Sequence, residues 1–129
     1  KRPLHACSCS KVIAAFSPDL LSGQDLKGRL KKYTENTITC LRDLEAELEV
    51  IRKQGYAECI EELERGICSV ATTLGETGPG ATLSIGATAS TRVLTVETRK
   101  EIGRTLRAMS RELSNALGWS EADATWKTG

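Results

Sequence analysis

Aromatic side chains are scarce in this chain. Its 129 residues include one Phe, two Tyr and two Trp, 4% of the total, whereas apolar residues of all kinds make up 40%. Aliphatic side chains must therefore fill most of the core, and the length fits one domain. The scarcity also argues against a nucleic-acid surface in which basic residues alternate with aromatic ones.

Net charge is nearly absent as well, because 18 Lys and Arg residues face 17 Asp and Glu residues, which leaves +1. A domain that binds DNA by itself usually carries a basic face, so we expect no DNA binding by this segment alone. No apolar run approaches the roughly 20 residues of a membrane span, and no signal-peptide pattern opens the chain. The sequence predicts a cytoplasmic protein without a membrane partner.

The five cysteines cannot all be paired with one another, because their number is odd. Their spacings are not those of a secreted disulfide framework. We therefore expect reduced thiols at Cys7, Cys9, Cys40, Cys59 and Cys68. The chain also begins with Lys rather than Met, which suggests a processed product or a piece of a longer protein.

Hydrophobic spacing predicts three long helices, at residues 6–16, at residues 40–54 and from about residue 96 to residue 117. The second is followed by Gly55, which suits a left-handed C-cap, and Thr95 is a good N-cap for the third. Two shorter helix starts are predicted at Ser17 and Ser22. The apolar stripes of the second and third helices are Leu41, Leu44, Leu48 and Ile51, and Ile102, Leu106, Met109, Leu113 and Leu117.

Three stretches are typical of strands, at residues 56–60, 67–74 and 81–88. The last two form a predicted hairpin around a Gly/Pro turn at residues 75–80. Along the last strand, Leu83 and Ile85 point to one face, which we expect to be core. Ser84 and Gly86 point to the other, which is small and polar.

Several blocks of sequence carry a resemblance to a known family when they are taken together. The most specific are residues 52–57 (RKQGYA) followed by residues 61–66 (EELERG), and the others are residues 3–11 (PLHACSCSK), 33–39 (YTENTIT), 67–71 (ICSVA), 83–86 (LSIG) and 112–118 (ELSNALG). In this order they resemble the C-terminal effector-binding domain of the IclR family of transcription regulators. The resemblance predicts a partial domain of that kind over residues 1–118 and a loose C-terminal extension over residues 119–129.

The resemblance implies an α+β fold of the GAF/profilin-like type, a curved antiparallel sheet of about six strands flanked by helices. Only three strands are visible here, so the sheet is expected to be incomplete at the N-terminal side. The family's winged helix-turn-helix is also absent, and operator DNA is expected as a partner only through that N-terminal domain. Effector domains of this family sense a small molecule and self-associate, which implies a small-molecule effector and a homodimer or tetramer.

The resemblance also implies an effector pocket. Family members that bind small carboxylic acids use two backbone amides at positions that match Ser8 and Cys9. Free N–H groups and the helix dipole form an anion site there. The strand positions that complete the pocket match Cys59, Ser69, Ser84 and Gly86.

Four positions depart from the family pattern. The acidic residue of the pocket is Cys59 here, the pocket cysteine is Ser69, the second strand serine is Gly86, and the usual glycine of the helix-opening loop is Ser10. These changes remove a charge and a hydrogen-bonding group and add room, so we expect an effector larger or less polar than the smallest keto acids. The alternative is that Ser69, Ser84 and Gly86 are small because helix and sheet approach closely there.

A second class of function stays open because His5, the only histidine, lies four residues before Cys9. A Cys/His nucleophile pair, or a metal site completed by Cys59 or Cys68, would make the chain a small thiol- or metal-dependent enzyme on a GAF-like scaffold. Against it, Cys-x-Cys on a helix points its thiols apart, and no metal or catalytic motif accompanies the pair. The carboxylates of residues 61–64 are expected to be solvated. We therefore expect no enzyme, no metal and no cofactor.

Overall fold

A computed structural model of the chain describes residues 3–17, 30–76 and 82–116. The helices in these ranges are α1 (Ser8–Phe16), α2 (Leu41–Gln54) and α3 (Val96–Ala116), with a short 3-10 turn at Leu4–Ala6. The strands are β1 (Ala57–Ile60), β2 (Ile67–Glu76) and β3 (Thr82–Ser90). The short helices predicted after Ser17 and from Ser22, the hairpin turn beyond residue 76 and the tail 119–129 lie outside the described residues.

The helix ends that the sequence predicts are present. Gly55 has a φ of 85°, and its N–H donates to the Ile51 carbonyl at 2.7 Å, which closes α2 with a left-handed glycine. At the start of α3, the Thr95 hydroxyl accepts the N–H of Thr98 at 3.4 Å. None of the described helices is long and apolar enough to cross a membrane.

The three strands form one antiparallel sheet in the order β1-β2-β3. The α+β class is therefore confirmed. The strand β2 is longer than predicted, because its pairing with β3 continues to Glu76 after a register shift that begins at Thr73. Such an irregularity bends a strand and leaves some backbone groups without a ladder partner.

Helices cover both faces of the sheet. On one face lies α1, with α2 packed behind it, and this layer forms the main core. Its apolar residues are fully or nearly fully buried, and they are Val12, Ala14, Ala15, Phe16, Leu30, Leu44, Leu48, Ile51, Ala57 and Ala71. The stripe predicted for α2 is thus confirmed at Leu44, Leu48 and Ile51.

The opposite face is covered by α3. The predicted stripe is confirmed at Leu106, which is buried, and at Ile102, which packs beside it, but not in its C-terminal part. The buried residues of α3 are Arg99, Gly103, Leu106, Ser110 and Ser114, while Met109 of the predicted stripe is 47% exposed. The Ser110 hydroxyl donates to the Thr73 carbonyl at 2.6 Å, and the Ser114 hydroxyl donates to the Leu74 carbonyl at 3.1 Å. Because these serines are small, α3 lies close enough to β2 for their hydroxyls to donate to backbone carbonyls near the register shift. Polar side chains therefore face the sheet on a side of α3 that was expected to be apolar.

Two further expectations are wrong in part. Ile85 packs with Val70 and Leu106 as predicted, but Leu83 is 49% exposed. Glu62 is buried rather than solvated, because the buried Lys11 ammonium donates to its two carboxylate oxygens at 2.9 and 3.2 Å. This ion pair joins α1 to the loop after β1.

Candidate functional site

The four strand positions of the predicted pocket lie on one face of the sheet, the face that packs against α1. Cys59 is paired with Ser69 across β1 and β2, and Ala71 is paired with Gly86 across β2 and β3. Residues opposite each other in antiparallel strands share a face, and faces alternate along each strand. Ser84 therefore lies on the same face as Gly86.

The start of α1 contacts this face directly. The Ser8 hydroxyl donates to the Ser69 hydroxyl at 2.7 Å, and the Cys59 thiol donates to the Ala6 carbonyl at 3.3 Å. All these side chains are buried. Three of the six predicted site residues are thus held together where α1 begins.

Gly86 lets α1 approach β3 closely. A Cβ atom at this position would lie 2.9 Å from the Val70 carbonyl oxygen and 3.1 Å from the Cys9 sulfur. The absence of a side chain is therefore explained by close packing against Cys9, as one of the two interpretations of this face expects. Ser84, two residues away, is half-buried.

A cavity of about 380 Å³ opens beside the start of α1. Its wall is formed by Ala6, Cys59, Leu63, Glu64, Ile67, Ser69 and Thr88. Two predicted site residues, Cys59 and Ser69, belong to the wall. Ser8 and Cys9 lie behind it in α1, and Ser84 and Gly86 lie further along β3. The cavity therefore occupies one end of the predicted pocket.

Sequence reasoning missed five of the seven wall residues, Ala6, Leu63, Glu64, Ile67 and Thr88. Thr88 is exposed and is paired with Ser69 across the sheet, so only the strand register could have revealed it. Leu63 follows a residue of positive φ, Glu61 at 52°, in a loop whose path no periodic pattern predicts.

The first turn of α1 presents backbone N–H groups. Its first internal hydrogen bond runs from the Lys11 N–H to the Cys7 carbonyl at 2.9 Å, so the earlier N–H groups have no acceptor within the helix. Cys7, the N-cap residue, makes no side-chain cap hydrogen bond to these groups. A helix start of this kind is suited to binding an anion.

The Cys7 thiol is the acidic one of the site. The hydrogen bond from the Cys9 side chain is the largest cause, and it outweighs burial, so the pKa of Cys7 lies well below its ordinary value. Cys7 precedes the helix and has extended backbone angles (φ −141°, ψ 130°), so the expectation that Cys-x-Cys on a helix points its thiols apart does not apply to this pair.

Cys59 has the opposite character. Burial, followed by the nearby Glu62 carboxylate, raises the pKa of the Cys59 thiol to about 11. The residue is therefore a neutral thiol at neutral pH, at the position where the family carries an acidic residue.

A buried hydroxyl marks the far end of the same face. Thr73 is fully buried and is paired with Ser84 across the sheet. Within the described ranges its Oγ1 is a buried side-chain atom without a hydrogen-bond partner. Burying a hydroxyl without a partner costs free energy, so a polar group beside Ser84 would stabilise this region.

The metal or nucleophile site considered around His5 is not assembled in the structure. The ring Nε2 of His5 donates to the Lys31 carbonyl at 2.8 Å, and the ring lies beside Tyr33 with 5.9 Å between centroids. In the part of the chain that the structure describes, no three His, Cys, Asp or Glu side chains are placed to hold a metal ion. The histidine instead fixes the segment that precedes α2.

Comparison with known proteins decides the family. Residues 1–115 match the family described as the bacterial transcriptional regulator IclR C-terminal domain. The chain belongs to this family. The predicted resemblance and its GAF-like α+β fold are thereby confirmed.

Individual relatives agree with this assignment. The IclR-type chain is 29% identical over 119 residues to the glycerol operon regulatory protein of Streptomyces coelicolor, covering 91% of this chain and 46% of that protein. It therefore spans about half the length of this curated relative. The crystal structure of the Thermotoga maritima IclR protein superimposes with a TM-score of 0.77 at 35% identity, covering 90% of this chain and 47% of that one.

A third comparison shows the same fold with a ligand named. The inducer-binding domain of a double mutant of PobR from Acinetobacter, in complex with 3-hydroxybenzoic acid, matches with a TM-score of 0.72 at 22% identity. The match covers 87% of this chain and 65% of that one. At this identity the likeness shows the fold alone.

Proposed function

We propose that the chain is the effector-sensing domain of a bacterial transcription regulator that acts in the cytoplasm. Membership of the IclR C-terminal family supports this, as does its similarity to a regulatory protein of a glycerol operon. DNA binding would belong to another part of the protein, because this chain carries a net charge of only +1. A protein of this kind binds its effector without converting it, so the domain is not an enzyme.

The effector proposed is a carboxylic acid larger than the smallest keto acids. The observation that carries this proposal is a cavity of about 380 Å³ beside the N-terminus of α1. This volume lies within the range of roughly 300–1,000 Å³ that is usual for small-molecule sites, and a helix N-terminus stabilises an anion. The complex of PobR with 3-hydroxybenzoic acid is an example of such a ligand in the same fold.

Five of the seven residues in the cavity wall suggest a role in binding. The ligand carboxylate would lie towards the backbone N–H groups of Ser8 and Cys9, while the hydroxyls of Ser69 and Thr88 would bond its other polar atoms. Cys59 would give a neutral, weakly polar wall, in keeping with its raised pKa. The apolar side chains of Leu63 and Ile67 would contact the ligand's hydrocarbon part.

The remaining predicted residues would determine how long the ligand is. Ser84 and Gly86 follow the cavity along the same face of β3, roughly 7–13 Å from Thr88 at the usual rise of a strand. Because Cys9 packs against Gly86, this contact would limit the ligand at that end and separate it from the Ser84 and Thr73 hydroxyls.

Calorimetry with variants of Thr88 tests the location and chemistry of this site. A panel of carboxylic acids and their matched primary amides is first screened by thermal shift, and the best acid is then titrated into three proteins. Thr88→Leu should weaken binding more strongly than Thr88→Val, because its larger side chain narrows the cavity and also removes the hydroxyl. Thr88→Val, the matched control of similar size, should weaken binding by about 1 kcal/mol, the contribution of one hydrogen bond.

Two results would count against the proposal. Equal stabilisation by acids and amides would show that no carboxylate is recognised at α1. Undiminished binding to Thr88→Leu would place the ligand elsewhere, and the same titration of Ser84→Leu would then show whether the far end of the face holds it.

A further inference from the structure

One residue in the wall of the cavity is charged. Among the described residues that form this wall, Glu64 is the one with a charged side chain. It is exposed, and the function proposed above gives it no role. Its negative charge repels a carboxylate, so a site for a simple acid gains nothing from it. The position of this charge therefore points to a further group on the ligand.

Two cations next to the loop that carries Glu64 are already bound to other carboxylates. The Lys11 Nζ lies 2.9 Å from the Glu62 Oε1, and the Arg65 Nη2 lies 2.5 Å from the Glu35 Oε2. Within the described ranges, the Glu64 carboxylate itself takes part in no ion pair and no hydrogen bond. Its charge is therefore available to a ligand in the cavity.

The backbone around Glu64 is fixed by hydrogen bonds on both sides. The Gly66 N–H donates to the Glu61 carboxylate at 2.8 Å, and the Thr91 N–H donates to the Gly66 carbonyl at 2.9 Å. The Ile67 N–H donates to the Glu64 carbonyl at 3.3 Å, which ties Glu64 to the start of β2. A charged group on a backbone that is ordered before the ligand arrives loses less entropy on binding. Glu64 is thus placed to discriminate between ligands.

We propose that the effector is an amino acid in the broad sense, a carboxylic acid that also carries an ammonium group, and that Glu64 binds this ammonium. The inference rests on the function proposed above, in which the ligand carboxylate lies towards the N-terminus of α1. A cavity with a positive helix end beside it and a carboxylate in its wall is complementary to a ligand that carries both charges. The same pattern disfavours a dicarboxylic acid, because its second carboxylate would meet Glu64.

Calorimetry with matched acids of equal chain length tests the proposal. The probes are hexanoic acid, 6-aminohexanoic acid, 2-aminohexanoic acid and hexanedioic acid, which differ in the presence and place of a second charge. The parent chain should bind one of the two amino acids roughly two- to fivefold more tightly than hexanoic acid, the range expected of an exposed ion pair. Hexanedioic acid should bind more weakly than hexanoic acid.

Variants assign the discrimination to Glu64. Glu64→Gln keeps the size of the side chain and removes its charge, so the preference for the amino acid over hexanoic acid should disappear. Glu64→Lys should reverse the order, so that hexanedioic acid binds more tightly than either amino acid. Glu101→Gln, the same change at an exposed position of α3, is the matched control and should keep the preference of the parent.

The outcomes separate this inference from the function on which it rests. Binding of hexanoic acid as tight as that of both amino acids, or a preference that survives in Glu64→Gln, would overturn the role of Glu64 and leave the effector-sensing function standing. If none of these acids, nor any acid of the wider panel, binds to the parent chain, the proposed function fails and this inference fails with it.

Discussion

At the scale of single residues, the packing of this domain depends on glycines at positions where a helix and the sheet approach closely. Gly86 admits Cys9, and Gly103 admits the ring of Tyr56, from which an added Cβ would lie only 2.8 Å. Tyr56 in turn packs with Val70 and Leu106. Close approach of helices to both faces of the sheet therefore depends on positions that composition alone does not mark as important.

Gly103→Ala tests this dependence, because two effects of opposite sign compete. Alanine is favoured over glycine inside a helix by about 1 kcal/mol, but the new methyl group would overlap the Tyr56 ring, and overpacking typically costs about 1–3 kcal/mol. We expect net destabilisation in urea unfolding. Ala108→Gly, at an exposed position of α3, measures the helix preference by itself. A Gly103→Ala protein more stable than the parent would contradict the packing described here.

Part of the candidate site was predictable residue by residue, and the rest was not for a definite reason. The alternation of side chains along β3 placed Ser84 and Gly86 on one face, and the resemblance identified Cys59 and Ser69. Thr88 was missed because its position opposite Ser69 depends on the register of β2 and β3, which the sequence does not reveal.

At the scale of elements, α1 is held against the sheet by a buried ion pair. The Lys11 ammonium is fully buried and donates to the Glu62 carboxylate and to the Glu58 carbonyl, the latter at 2.7 Å. Glu47 of α2 lies 3.8 Å from the same nitrogen. One cation thus joins α1, α2 and the end of β1 around the proposed pocket.

The Lys11–Glu62 pair can be tested by a double-mutant cycle. Lys11→Met leaves a buried carboxylate without its cation and should cost roughly 3–5 kcal/mol. In the Lys11→Met/Glu62→Gln protein the stranded charge is removed, so the loss should be smaller than the sum of the two single changes. Additive losses in denaturant unfolding would show that the two residues act independently.

Sequence patterns predicted the elements better than their contacts. The end of α2 and the start of α3 were predictable because their capping residues, Gly55 and Thr95, bond to backbone groups of the adjacent helical turn. The buried side of α3 was predicted correctly at Ile102 and Leu106 but wrongly at Met109 and Leu113. In that part of the helix, hydroxyls of Ser110 and Ser114 bond to carbonyls of β2 instead. Such bonds are tertiary, and a count of apolar residues along one helix cannot reveal them.

At the scale of the whole molecule, apolar side chains remain exposed beside the C-terminal half of α3. Met109 is 47% exposed and Leu113 is 40% exposed, and they border a groove with Leu74 and Ile85. Exposed apolar side chains that gather in one place are usual at interfaces between proteins. Their position explains why the chain is expected to self-associate.

We therefore predict a dimer or tetramer, and a weaker one when Met109 is replaced by Lys. A desolvated ammonium at an apolar interface is unfavourable, so Met109→Lys should shift sedimentation towards the monomer at micromolar concentration. Ala108→Lys, an exposed neighbour outside the groove, is the control. A parent chain that sediments as a monomer across a wide concentration range would contradict the prediction.

The balanced charge of the chain leads to a separate prediction about DNA. With a net charge of +1, the chain can neutralise few phosphates, and phosphate contacts supply most non-specific affinity. We expect no mobility shift of operator DNA by this chain even at low salt. A sequence-specific, salt-sensitive complex would show that the chain itself recognises DNA.

The central claim is that an acid binds between the start of α1 and the small-residue face of the sheet. Backbone amide NMR during titration with the best acid of the panel tests it most directly. The account predicts that the signals of Ser8, Cys9, Ser69 and Thr88 move together and saturate with one affinity. Shifts confined to Leu74, Ile85 and the C-terminal half of α3 would contradict it, because they would place the ligand on the opposite face.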